Sequence, residues 1–177
     1  AELNVQDGNR RQLVVAVYLL ANGLGCLLPG SLADRFGRRP VLFVSLAAYA
    51  ACSLLIAAIH SFEVLLALRG IQGVLCAGLM VVPTAIIRDQ YEGDKMARLM
   101  SLVSAVFITV PVIAPSLGQG VLLFAGWRWI FILFALVAAL TGLWVWLRLP
   151  ETLHPENRQR IELPTVLRNM RTGLINR

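Results

Sequence analysis

Two groups of residues in this 177-residue chain have the types and the spacing to do chemistry. The first is the run Gly30-Ser31-Leu32-Ala33-Asp34-Arg35-Phe36-Gly37-Arg38-Arg39-Pro40, which sets one carboxylate among three guanidinium groups, with a glycine on either side. Basic neighbours hold a carboxylate ionised. Gly30 admits close approach of another helix, and Gly37 permits a sharp reversal. Asp89, beside Arg88, ends a later apolar stretch and is placed to pair with Arg38 or Arg39 across the loop mouth. A hydrated pair of this kind contributes about 0–1 kcal/mol, so it does little to hold a fold. The second group is Arg69 with Gln72, one turn apart on one face of an apolar segment. A charge within a membrane helix is costly and faces a cavity or a partner; the competing reading is an arginine that snorkels to the interface.

Three further features carry weaker signals. Asn22 is polar within an apolar segment and either lines a cavity or makes a packing hydrogen bond. Ala16, Leu20, Gly23, Leu27, Gly30 and Asp34 form a stripe at i+3 and i+4 spacing that can face a neighbouring helix. Ser101, Ser104, Ile108, Pro111, Pro115 and Gly118 form another, in which two prolines in register bend a helix and free carbonyls. Plain helix packing is the simpler account of that second stripe. His60 and His154 stand alone, and Glu63 reads as an interfacial residue. Cys26, Cys52 and Cys76 fall in different apolar segments without ligand spacing, so they read as small packing residues. No nucleotide loop, nucleophile elbow or acid–histidine cluster suited to a membrane enzyme is present.

The elements that must position these residues are membrane helices. Hydrophobic residues make up 58% of the chain, charged residues 15%, and mean hydropathy is +0.72, whereas a soluble domain carries about 25% charge. Apolar stretches long enough to cross roughly 30 Å of hydrocarbon recur. Five segments are expected, at about 12–32, 40–59, 62–87, 97–125 and 127–147, within a membrane domain spanning 1–148. Residues 149–177 read as a cytoplasmic tail or inter-half linker, with a short amphipathic helix over about Thr165 to Arg171. The net charge of +6 is an orientation signal rather than a nucleic-acid surface, because the basic residues lie between apolar segments. Twelve fall on one side, three (Arg10, Arg11 and Arg128) on the other, and Arg69 lies within a segment. The twelve belong inside, which puts the N-terminus outside and the C-terminus inside. Trp127 and Trp129 mark the outer interface, and Trp144 and Trp146 the inner one. One more helix before residue 1 would give six helices with both ends inside.

The Gly30–Pro40 run resembles the signature loop of the major facilitator superfamily, between its second and third helices. Arg69-Gly70-Ile71-Gln72-Gly73, continuing to Ala77 and Gly78, resembles the fourth-helix motif of its drug:proton antiporters, and Arg88-Asp89 that helix's inner end. Pro111-Val112-Ile113-Ala114-Pro115-Ser116-Leu117-Gly118-Gln119-Gly120 resembles the fifth-helix antiporter motif. Gly126-Trp127-Arg128-Trp129-Ile130-Phe131 and Leu149-Pro150-Glu151-Thr152-Leu153 resemble the start and exit of helix six. The nearest branch is the bicyclomycin- and chloramphenicol-resistance type.

The resemblance implies an all-α, polytopic membrane bundle: helices two to six of an N-terminal six-helix transporter half in a bacterial inner membrane. It implies proton-coupled efflux of drug-like small molecules by alternating access, with no cofactor beyond the coupling proton. Gly30, Asp34, Arg35, Gly37, Arg38, Arg39 and Asp89 would form a conformational-switch loop. Arg69, Gln72 and Asn22 would serve proton coupling or line the cavity, and Pro111, Pro115 and Gly118 would control leak and direction. Gln119 stands where the fifth-helix motif has a glycine, so uptake remains an alternative to export. No acidic residue lies deep in a segment, so the expected partners are the lipid bilayer, a small-molecule substrate and the missing half or full-length parent. The chain alone is expected to be inactive, and a truncated, non-transporting membrane interaction protein is the second alternative.

Overall fold

A computed structural model of the chain describes residues 8–151. The expected surface helix at 165–171 and nearly all of the expected tail lie outside the described residues. The described residues form helices joined by short turns: α1 (Gly8–Gly25), α2 (Leu27–Phe36), α3 (Arg38–Ala58), α4 (Phe62–Gln90), α5 (Gly93–Phe124) and α6 (Arg128–Arg148). In hydrocarbon every backbone N–H and C=O must find its partner within the segment, and helices achieve this. By length and composition α3, α4, α5 and α6 can each cross a membrane, and α1 with α2 makes a fifth, bent crossing.

The segment expected over 12–32 is built from two helices meeting at 45°. Pro29, buried in the first turn of α2, has no N–H to offer the carbonyl of Gly25, so the ladder breaks there. The turn between α2 and α3 is a single residue, Gly37, with φ of 104°. Only glycine adopts that backbone without strain.

Helix α4 is the centre of the bundle. It packs against α1, α2 and α3, and α3 packs in turn against α6. Hydrophobic drive between helices is weak in lipid, so close backbone approach matters most. Three glycines provide it. A Cβ on Gly73 would collide with the Tyr18 carbonyl oxygen of α1, one on Gly25 would lie 2.9 Å from the Val74 Cα, and one on Gly78 would lie 2.7 Å from Ser45 Oγ of α3. At Gly30 a Cβ would meet Val81 at an ordinary 3.9 Å, so its smallness is not what lets α4 approach. The stripe from Ala16 to Asp34 is divided: Gly30 and Asp34 lie beside α4, and the part before them is uncovered. Leu20 and Leu27 are exposed and Gly23 meets nothing within 4 Å, because α1 and α2 turn the Gly25, Pro29 and Ala33 face to α4 instead.

Helix α5 runs unbroken through Pro111 and Pro115 and buries no residue. An open groove of about 1000 Å³, lined almost wholly by apolar side chains, separates it from α3, α4 and α6. We predict that Gly73→Ala destabilises the bundle by about 1–3 kcal/mol through overpacking. Gly23→Ala should be neutral or stabilising by about 0.5–1 kcal/mol, since alanine is the better helix former. Unfolding of the purified chain in mixed detergent–SDS micelles measures both.

Candidate functional site

The sequence-selected residues gather into two clusters, one at the α2–α3 turn and one in the first half of α4. At the turn, Asp34 occupies the last turn of α2 and Arg38 opens α3. Arg38 Nη1 lies 2.6 Å from Asp34 Oδ1, and its Nε donates to Asp89 Oδ2 at 3.0 Å. Of the two arginines that could meet Asp89, the structure selects Arg38. Arg39 turns the other way, and its Nη2 donates to the Trp146 carbonyl of α6 at 2.6 Å. Arg35 lies over the Phe36 ring, apart from the cluster.

The Arg38 side chain is 11% exposed and bridges two more accessible carboxylates. One cation therefore holds the ends of α2 and α4 together. Such a contact is worth little as stability when hydrated, yet it exists only while those helix ends stay adjacent. The cluster lines an open pocket of about 460 Å³, with Gly30, Thr84 and Arg88 in the same wall.

In the second cluster, Arg69 points between two aromatic faces, 5.3 Å from the Tyr18 ring centroid of α1 and 5.0 Å from that of Phe131 in α6. Its Nη1 donates to Gln72 Oε1 at 3.1 Å. Gln72 Nε2 donates to Ser53 Oγ at 2.8 Å, and Ser53 donates to the Tyr49 carbonyl at 2.8 Å. Gln72 and Ser53 are fully buried. The guanidinium thus has partners from α1, α4 and α6. Its Nε is buried without a hydrogen-bond partner among the described residues. An unpaired donor on a charged group in low dielectric favours any anion or acceptor brought near it.

Ser53, Tyr18 and Phe131 were not singled out in the sequence. Ser53 has a faint signal as a hydroxyl in an apolar run, but small polar residues are common packing groups in membrane helices. Asn22 stays outside the Arg69 cluster. It accepts from Cys26 Sγ at 3.8 Å and its amide donates to Met80 Sδ at 3.9 Å, which ties it to the α1–α2 bend. Pro111, Pro115 and Gly118 lie on α5, exposed or half-exposed, and join neither cluster.

The Major Facilitator Superfamily profile matches residues 8–177. The chain belongs to that superfamily. Among its relatives, a bicyclomycin resistance protein homolog of Haemophilus influenzae is 33% identical over 158 residues, which is 89% of this chain and 40% of that protein. A chloramphenicol resistance protein of Pseudomonas aeruginosa is 36% identical over 142 residues, covering 80% of this chain and 34% of the relative. The multidrug resistance protein MdtL of Klebsiella pneumoniae is 34% identical over 119 residues, or 67% and 30%. In structure the chain is similar to the human organic anion transporter MFSD10 (TETRAN), with a TM-score of 0.63 and 28% identity over 82% of this chain and 33% of that one. The chain spans 40% or less of the length of each of these relatives.

Both clusters lie within the stretch that the superfamily profile matches. We predict that Ser53→Ala destabilises the chain by about 1–3 kcal/mol, because it strands a buried Gln72 amide. Thr141→Ala removes a bond to the Val137 carbonyl on an exposed face and should change stability by less than about 0.5 kcal/mol. The same micelle unfolding assay separates the two.

Proposed function

We propose that the chain is part of a bacterial inner-membrane transporter that exports drug-like small molecules in exchange for protons, with its N-terminus outside and C-terminus inside. The observation that carries this reading is Arg69: a guanidinium held within the bundle, engaged on one edge by the Gln72–Ser53 chain and left with an unpartnered Nε. A fixed cation of that kind favours the ionised form of an acid placed beside it. It therefore makes the acid's proton easy to release when a substrate competes for the same cavity. Among the described residues the acids are Asp34, Glu63, Asp89, Glu92, Asp94 and Glu151, all at helix ends or in turns. In this reading the acid that Arg69 tunes would lie elsewhere in a longer parent, of whose relatives the chain covers 40% or less.

Two surfaces support the view that the chain works within a larger assembly. The groove beside α5 and the uncovered Leu20–Gly23–Leu27 face of α1 and α2 are both apolar and accessible to further helices. The Arg38 cluster would then act as a latch on one of two alternating conformers, made when the ends of α2 and α4 are adjacent and broken when they part. Relatives named for bicyclomycin, chloramphenicol and multidrug resistance favour export over uptake.

The test is transport by the longer parent in proteoliposomes. An interior made acidic should drive accumulation of a fluorescent lipophilic cation, and dissipating the pH gradient should abolish it. Arg69→Ala should reduce this accumulation at least tenfold, whereas the 177-residue chain alone should give none. Accumulation that ignores the pH gradient would overturn the coupling, and accumulation by the short chain would overturn its dependence on the parent.

A further inference from the structure

Two aromatic walls enclose the Arg69 guanidinium, and they are held by different means. The Tyr18 ring is set by the close contact of α1 with Gly73, one turn beyond Arg69 on α4. The Phe131 ring belongs to α6, which packs chiefly against α3. Its place against Arg69 therefore depends on how α6 is seated on α3. Where α3 ends and α6 begins, Arg128 fastens the two. The last carbonyls of a helix lack partners and carry partial negative charge, which a cation stabilises. Arg128, the first residue of α6, donates from Nη2 at 3.3 Å to the carbonyl of Ile59, the residue that closes α3. The same guanidinium lies over the Trp127 ring, 5.2 Å from its centroid. Trp127 meets Phe131 edge to face, with centroids 5.9 Å apart and planes at 85°. Phe131 in turn lies 5.0 Å from the Arg69 guanidinium. Two rings thus join an arginine at the start of α6 to the arginine within the bundle. Trp127 is half-buried and packs on the core that holds Ile56, Phe62 and Phe131, whereas its neighbour Trp129 is 58% exposed.

We propose that Arg128 is a positioning residue for Arg69: by holding the start of α6 to the end of α3, and the Trp127 ring beneath its own guanidinium, it keeps Phe131 against Arg69. The turn between α5 and α6 is thereby linked to the enclosed cation. Movement that draws Arg128 away from Ile59 frees Trp127 and uncovers one face of Arg69. The contacts themselves stand on geometry alone, while their use in proton exchange rests on the function proposed above.

Magnetic resonance of the 177-residue chain in lipid nanodiscs, with isotopically labelled arginine, tests it. The Arg69 Nε–H signal, assigned by its loss in Arg69→Lys, is displaced by the field of the ring it faces. Phe131→Leu removes that ring and defines the full displacement. Arg128→Ala should move the signal in the same direction, and Arg128→Lys, which keeps a cationic donor, should return it most of the way. Arg128→Gln keeps a donor without the charge, should move the signal less than alanine does, and serves if the alanine variant does not fold. Trp129→Phe, at the exposed neighbour, should leave the signal in place. Adding Arg128→Ala to Phe131→Leu should move it no further, because Arg128 acts through Phe131. An unmoved Arg69 signal on loss of the Arg128 charge would overturn the positioning role, as would an equal movement in Trp129→Phe. Further movement in the double variant would overturn the route through Phe131. The signal is read without transport, so either idea can fail while the other stands.

Discussion

The close contact of α4 with its neighbours is the constraint on which the other interactions depend. At Gly73 the backbone of α4 meets the Tyr18 carbonyl of α1 with no room for a side chain. That approach brings the Tyr18 ring to one face of the Arg69 guanidinium. Five residues further on, Gly78 lets Ser45 of α3 reach equally close, and two turns along α3 Ser53 meets the Gln72 amide. The polar chain from Arg69 to Tyr49 is thus a consequence of two glycines. A wider helix spacing would leave Gln72 and Ser53 buried without each other, at a cost of about 1–3 kcal/mol for each stranded group.

The two clusters share helices but not chemistry. The Arg38 cluster is accessible, spans the ends of α2, α3, α4 and α6, and is cheap to break. The Arg69 cluster is enclosed, satisfied on one edge and unsatisfied on the other. Under the proposed function, the cheap, accessible contacts would serve alternation between conformers and the enclosed cation would serve control of a proton. Helix α4 carries Arg69 in its second turn and Asp89 at its far end, so it is the rigid element common to both.

Local spacing made the core of each cluster legible in the sequence. Asp34 and Arg38 are four residues apart across a glycine turn, and Arg69 and Gln72 are one helical turn apart, so both pairs follow from the chain itself. What was not legible depends on which faces meet. A membrane helix is apolar all round, so periodicity does not mark its packing face, and Leu20, Gly23 and Leu27 of the Ala16–Asp34 stripe are uncovered while Gly30 and Asp34 lie beside α4. Glu151 looked like the exit of a helix, and nothing local reveals that it returns to Arg38. The bend at Cys26 was not anticipated: the continuous apolar character of the segment hid the missing N–H of Pro29 that breaks the ladder there.

The central claim is that the parent exchanges a proton for its substrate under the influence of Arg69. Proton release on substrate binding measures this most directly. In weakly buffered detergent solution with a pH indicator, adding tetraphenylphosphonium to the purified parent should release about one proton per bound cation, and the Arg69→Ala variant should release markedly less at matched occupancy. Saturable binding with no proton released at any pH between about 6 and 8 would contradict the account.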